Sequence, residues 1–242
     1  MKILELKEVS KSFGGLMAVD GVDLAVQKGE MVGLIGPNGA GKTTLFSLIS
    51  CFLKVSRGEI CFDGKRIEHM KCHQLCHLGV GRTFQIVQPF PEFTTLENVM
   101  VGSFNETRDV QEAMGRAAEV CDFLGIGHLK GIKAKNLNLA DRKRLEIARA
   151  MATRPKMLLL DEVMAGLNPT ESGMIIELVK QIHHQGVTIL IIEHVMKVIM
   201  ELSQRIVVLN YGRKIADGSP EAISRNPKVI KAYLGENALV KS

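Results

Sequence analysis

Apolar residues recur along this chain with two different periods. Near the start, "ILELKEV" alternates apolar and polar positions, and "VDLAV" follows in the same style. A period of two predicts strands with one buried face. "EICFDGKRI" then sets Asp63-Gly64 between two short strand-like runs, a strong hairpin signal. Further on the apolar runs become continuous: "MVGLIG" at Met31, "MLLL" at Met157, "VTILII" at Val187 and "RIVVL" at Arg205. Such strand-length runs suit strands covered on both faces, as in a parallel sheet.

Helical segments separate these runs, and their starts are well marked. Asn168-Pro169 with Glu171 supplies an N-cap, a proline for the first helical position and a capping-box acid. Thr94 with Glu97 is a second capping box, and Ser219-Pro220 and Asn226-Pro227 repeat the cap-then-proline pattern. Residues 86–156 contain no convincing strand and read as a helical insertion between sheet strands. The predicted class is therefore α/β, in one domain over residues 1–242. A core with a β-rich N-terminal part takes about 1–85 and 157–242, and a helical subdomain takes 86–156. No internal repeat interrupts this layout.

Composition adds limits rather than detail. Hydrophobic residues make up 46% of 242, enough for a sizeable core. No apolar run approaches the roughly 20 residues that span a bilayer. The first residues, "MKILELKEVSKSF", carry charges throughout, so they do not read as a signal peptide. A chain of this kind is expected to be cytosolic or peripheral to a membrane. The net charge of +5 fits a phosphate ligand or an acidic surface, and is too weak to argue for nucleic acid. Five cysteines without secretory context are expected as free thiols.

The chemistry concentrates in "GPNGAGKT", residues 36–43, directly after the strand "MVGLI" and before the helical "TLFSLIS". G-x-x-x-x-G-K-T in a strand–loop–helix context is a phosphate-binding loop. Its glycines let backbone N–H groups converge on phosphate oxygens, and the helix N-terminus adds partial positive charge. Gly36, Pro37, Asn38, Gly39, Ala40, Gly41, Lys42, Thr43 and Thr44 are the candidate ATP-binding residues. Lys42 is expected to reach the β- and γ-phosphates, and the Thr43 hydroxyl to hold Mg²⁺. "MLLLDE" is the second anchor: Asp161 ends a buried strand as a Mg²⁺ ligand, and Glu162 is expected to orient or deprotonate a water.

With these motifs in place, nearly the whole chain resembles the ATP-binding subunit of an ABC transporter. The resemblance implies a phosphate-loop cassette with a RecA-like, mainly parallel core, an antiparallel β subdomain and an inserted helical subdomain. It implies ATP and Mg²⁺ as cofactors and a role for further residues. Phe13 in "KSFGG" matches the aromatic that stacks on adenine, although a core position suits a phenylalanine equally. Gln85 in "GRTFQ" matches the glutamine that senses Mg²⁺ and the attacking water. His194 in "IIEHVM" matches the histidine on the γ-phosphate. Gly166, Leu167 and Asn168 in "AGLNP" match the loop that crosses a cassette dimer. "GRTFQ…FTTLENVMVG", "AGLNPTE", "IEHVMKVIM" and "NYGRKIADGSPEAI…NPKVIKAYLGE" together resemble the ATPase subunits of branched-chain and hydrophobic amino acid uptake systems. Those systems typically pair two different ATPase subunits. Val163, where proline usually follows the Asp-Glu pair, and a short stretch after "ENVMVG" depart from that group's pattern.

The largest departure lies in "LNLADRKRLEIARA". The family's signature reads Leu-Ser-Gly-Gly-Gln ahead of a basic helix. Here Asn138 replaces the serine, Leu139 and Ala140 the glycines, and Asp141 the glutamine. Asn138 retains a side-chain N–H donor. Asp141 adds a negative charge that Arg142, Lys143 and Arg144 are expected to offset. The signature serves the partner's ATP, so this chain's own catalytic set is intact. Two expectations stand: an asymmetric heterodimer with one weakened site, or a tolerated variant of near-normal activity.

The resemblance also implies partners. These are a second ATPase subunit, two membrane permease subunits and, indirectly, a solute-binding protein, at the cytoplasmic face of the membrane. Phe90 and Phe93, with Pro89 and Pro91, form an apolar loop expected either to receive a permease helix or to pack the helical insertion. His69, Cys72, His73, Cys76 and His77 follow a helical period that imitates soft-metal ligands but matches no standard zinc motif. Two competing classes lack their own marks here. Soluble ABC proteins acting on DNA or ribosomes carry twin cassettes or long insertions, and GTPases carry Asn-Lys-x-Asp. Transporters of other solutes, such as amides, urea or exported lipids, remain an alternative.

Overall fold

The computed structural model describes residues 1–84 and 88–234. It divides into two compact units: Met1–Leu75 with Thr188–Ser242, and Cys76–Val187. In the first unit β1 (Lys2–Phe13) and β2 (Leu16–Gln27) form a long antiparallel pair. Leu4, Leu6 and Val9 on β1 and Val22, Leu24 and Val26 on β2 are buried, as the alternating pattern requires. β3 (Met31–Ile35) is buried along its whole length and leads into α1 (Lys42–Ile49). β4 (Arg57–Phe62) and β5 (Lys65–Arg66) follow, giving the sheet order β2-β1-β4-β5. Asp63 (φ 48°) and Gly64 (φ 77°) turn the β4–β5 hairpin with both residues left-handed. The boundary between the units then falls within α2 (Cys72–Leu78).

The second unit opens with β6 (Val80–Arg82), a three-residue strand too short to show in the apolar pattern. The helical insertion holds α3 (Thr95–Ser103), α4 (Val110–Phe123) and α5 (Leu139–Met151). Among the described residues of 88–156 there is no strand, only an isolated bridge between Thr94 and Lys133. α3 packs on both α4 and α5 around Val99, Ala113, Ala117, Leu145 and Ala148, all fully buried. β7 (Met157–Asp161) pairs parallel with β6, and α6 (Pro169–His184) ends the unit.

The chain returns to the first unit with β8 (Thr188–Ile192), α7 (Met196–Leu202), β9 (Arg205–Asn210), β10 (Arg213–Gly218), α8 (Pro220–Ser224) and α9 (Pro227–Leu234). Its strands run in the order β10-β9-β3-β8, with β3 parallel to both β8 and β9. All five residues of β3 and of β8 are buried, which explains their unbroken apolar runs. Arg205 fastens this sheet to its surroundings by bonds to Glu30 (2.6 Å) and Asp217 (2.8 Å). Among the described residues no helix is long and apolar enough to cross a membrane.

Candidate functional site

In the first unit, residues 36–41 form the loop between β3 and α1. Gly41 sits at φ 100°, and a Cβ there would lie 2.4 Å from the Ala18 carbonyl oxygen, so only glycine fits. Gly212 N–H, from the β9–β10 turn, donates to the Ala40 carbonyl at 3.0 Å and braces the loop. Lys42 is 6% exposed, and its Nζ folds back to the Gly36 and Pro37 carbonyls at 2.7 and 3.0 Å. α1 begins at Gly41 without a side-chain cap. By contrast α3, α4, α5 and α6 are capped by Thr94, Asp109, Asn138 and Asn168. Uncapped first-turn amides beside a lysine ammonium are chemically matched to an external anion. Asn38, Gly39 and Thr43 are exposed, Pro37 and Thr44 are half-buried, and Gly36 and Ala40 are buried.

Phe13 is 46% exposed, so it is not a core residue; the Lys11 ammonium lies 5.1 Å from its ring centroid. His194 is exposed in the bend just past the C-terminal end of β8, where the apolar run ends. Gln85 lies outside the described residues.

In the second unit, Asp161 closes β7 almost fully buried. Its Oδ2 meets the Arg82 guanidinium at 3.2 Å, and its N–H donates to the Thr83 hydroxyl at 3.1 Å. Arg82 was not singled out from the sequence; it stands in "GRTF", and the parallel pairing of β6 with β7 sets it beside Leu159, from where its guanidinium reaches Asp161 two residues on. Glu162 is buried and takes φ 49°, a left-handed turn that ends the strand. Its backbone carbonyl accepts from Lys143 Nζ at 3.2 Å. Ala165 N–H returns to the Glu162 carbonyl at 3.2 Å, and Leu167 N–H to that of Met164 at 3.2 Å, shaping a tight loop ahead of Asn168. Asn168 itself forms the expected capping box with Glu171. Gly166 is left-handed and packs close to Leu139, whose Cδ2 would be 3.1 Å from a Cβ at that position.

The signature residues start α5. Asn138 is its N-cap, and Oδ1 accepts the Asp141 N–H at 2.8 Å. The cap takes the amide oxygen, so the amide nitrogen is the end left to donate. Leu139 is 46% exposed, whereas Ala140 is buried. The expectation that three basic residues offset Asp141 is corrected. Arg144 approaches Asp141 at 3.7 Å, but Arg142 donates to the Lys135 carbonyl, and Lys143, 2% exposed, points inward to Glu162. The heptad phase of α5 puts position 143 on the core face, which a run of three basic residues conceals. Glu146, on the same face, accepts the Phe84 N–H, and burial pushes its carboxyl above the usual carboxylate range.

Phe90 and Phe93 are half-exposed, with ring centroids 5.3 Å apart, and the Arg149 guanidinium lies 5.1 Å from the Phe90 centroid. The buried Asn98, which sequence reasoning missed, holds their loop. It accepts the Phe90 N–H at 2.8 Å and donates to the Phe90, Thr94 and Phe93 carbonyls at 3.0, 3.0 and 3.3 Å. The imitation metal cluster is not one helical face, because His69 precedes α2. His69, His73 and His77 are exposed, and Cys72 Sγ donates to the Cys51 carbonyl. Among the described residues no group of three or more His, Cys, Asp or Glu is placed to hold a metal ion.

Comparison with known proteins places the chain in a family. The ABC transporter family model matches residues 19–165, taking in the phosphate loop, the signature segment and the Asp161-Glu162 pair. This chain belongs to the ABC transporter ATP-binding cassettes. A second model, the branched-chain amino acid ATP-binding cassette transporter, matches residues 213–238 of the cassette. The cassette is 42% identical to the high-affinity branched-chain amino acid transport ATP-binding protein BraF of Pseudomonas aeruginosa, over 97% of this chain and 98% of that one. It is equally similar, with the same coverage, to LivG of Escherichia coli K12, whose name describes the same role. Among solved structures, an ABC transporter cassette in its ADP conformation superposes with a TM-score of 0.88 at 34% identity, covering 98% of this chain and all of the other. A dimeric cassette bound to ADP and Pi in a post-hydrolysis state gives 0.81 at 27% identity, covering 90% and 98%.

Proposed function

We propose that this cassette is the ATP-hydrolysing subunit of an importer for branched-chain or other hydrophobic amino acids. The nucleotide part of that reading is carried by Lys42, folded over a glycine loop at an uncapped helix start. The solute part is supported by the match of residues 213–238 and by the relatives' described role. Phe13 stacks on adenine, while Lys42 and the backbone N–H groups of residues 36–44 hold the phosphates. Glu162 orients or deprotonates the attacking water, and His194 and Gln85 contact the γ-phosphate and that water. The Thr43 hydroxyl and Asp161 carboxylate are hard oxygen donors of the kind Mg²⁺ prefers, with Gln85 as a further ligand. Mg²⁺, when bound, neutralises charge on the β- and γ-phosphate oxygens.

Asn138, Leu139, Ala140 and Asp141 face the ATP of a partner cassette, and Gly166, Leu167 and Asn168 cross to it. The partner is a second, different ATPase subunit. Two permease subunits dock near Phe90 and Phe93, holding the cassette at the cytoplasmic face of the membrane, and a solute-binding protein delivers the cargo. Uptake of labelled leucine, isoleucine and valine by cells lacking this chain tests the reading. Uptake restored by the wild type but not by Glu162→Gln supports it. Unchanged uptake in the deleted cells rules out the solute assignment, and absence of ATP hydrolysis by the wild type reconstituted with its partner cassette rules out the enzyme.

A further inference from the structure

The inward side of α5 carries three charged side chains at i, i+3 and i+6: Lys143 and Glu146, which are buried, and Arg149, which is half-buried. They share one face along about 9 Å of helix. Charges on a core face are costly, and each of these has a specific backbone partner. Lys143, 2% exposed, donates to the Glu162 carbonyl at 3.2 Å. Glu146, 6% exposed, accepts the Phe84 N–H through Oε1, while its Oε2 is buried without a hydrogen-bond partner. Arg149 donates to the Gln88 carbonyl at 3.0 Å and lies over Phe90. A core serving packing alone would be better filled by apolar side chains than by a carboxylate with an unsatisfied oxygen. The three partners are not random backbone. One is Glu162 itself, and the others, Phe84 and Gln88, stand on either side of the Gln85 segment in the sequence.

We propose that Lys143, Glu146 and Arg149 are positioning residues that tie the signature helix to the backbone of Glu162, Phe84 and Gln88. The inference rests on the ATPase reading given above. α5 begins at Asn138, the residue assigned to the partner's ATP, so one rigid helix links the signature segment to this chain's own hydrolytic residues. A rotation of α5 on docking to the partner then moves the Glu162 carbonyl and both flanking anchors together.

Steady-state hydrolysis and ATP affinity of the full-length chain reconstituted with its partner cassette test this, with the melting temperature of the chain as the control for folding. Lys143→Met, Glu146→Leu and Arg149→Ala are expected to lower kcat about tenfold each, with the Kd for ATP unchanged within about twofold. Lys143→Arg and Glu146→Gln, which keep the donor and the acceptor oxygen, are expected to recover most of the loss. Arg149 is only half-buried, so its truncation is the variant best placed to fold if the other two fail. Wild-type kcat in folded Arg149→Ala, or loss of ATP affinity in proportion to kcat, overturns the proposal. So does a Glu146→Gln or Lys143→Arg chain that folds yet is as slow as its disruptive counterpart. Wild-type kcat in every folded variant, beside a wild-type chain that hydrolyses ATP, rejects only the positioning role. A wild-type chain that neither binds nor hydrolyses ATP rejects the nucleotide reading and this inference together.

Discussion

Asn138 has two jobs that substitution can separate. As the N-cap of α5 it satisfies the Asp141 N–H; in the function proposed above it also offers an amide donor to a partner's nucleotide. Asn138→Ala removes both and is expected to cost about 1 kcal/mol of stability in urea unfolding. Asn138→Ser keeps the cap, so its stability should match the wild type within a few tenths of that figure while any change in activity reports donation alone. Cys121 and Cys51 give a second residue-scale expectation. Burial pushes both thiols up to about 11. At pH 8 the thiolate is scarce, so native Cys121 should resist iodoacetamide and react promptly in urea, as peptide mass spectrometry would show. In the unfolded chain these thiols ionise near the ordinary value for cysteine, well below 11. Alkaline pH between the two values therefore favours unfolding, and the contribution is fully present below the unfolded value. Rapid native labelling of Cys121 would contradict its burial.

At the scale of elements, α3 and α5 meet through Gly102. A Cβ there would lie 2.4 Å from the Arg149 carbonyl oxygen and 2.9 Å from Ala152 Cβ. Gly102→Ala must push the helices apart, with an overpacking cost of about 1–3 kcal/mol. Chemical denaturation would read that loss, and unchanged stability would mean the two helices have room to separate. The capping boxes at Thr94 and Asn168 were legible because capping is local: four residues contain both partners. The strands β3, β7, β8 and β9 were legible because burial on both faces demands continuous apolar runs. β6 was not, since three residues give no period. Which side of α5 is buried was also hidden, because basic residues on a core face look like a solvated stripe.

For the whole molecule, the proposed hydrolytic set beside an altered signature predicts asymmetry in a pair of cassettes. In a reconstituted heterodimer, Glu162→Gln here should remove most turnover, a loss of about 10²–10⁴-fold at the affected site. The matching change in the partner should cost much less. Equal losses would reject the asymmetry and favour a tolerated signature of near-normal activity. The alteration itself argues for a weakened site rather than a lost one, since a single charge-assisted hydrogen bond is worth about 1.5–3 kcal/mol.

By itself the sequence determined the α/β class, the glycine-rich loop between β3 and α1, Asp161 at the end of a buried strand and the helices that precede it. Each depends on neighbours in the chain: a loop between strand and helix, a strand end, a run of caps. Tertiary structure alone decided that Arg82 meets Asp161, that Asn98 holds the Phe90 loop, and that Lys143 and Glu146 turn inward. Those contacts join residues from different elements, 79 positions apart for Arg82 and Asp161. The packing of β6, β7 and α5 brings Arg82, Lys143 and Glu146 to their partners, the fold of the chain ahead of α3 brings the Phe90 loop to Asn98, and no periodicity along the chain encodes either.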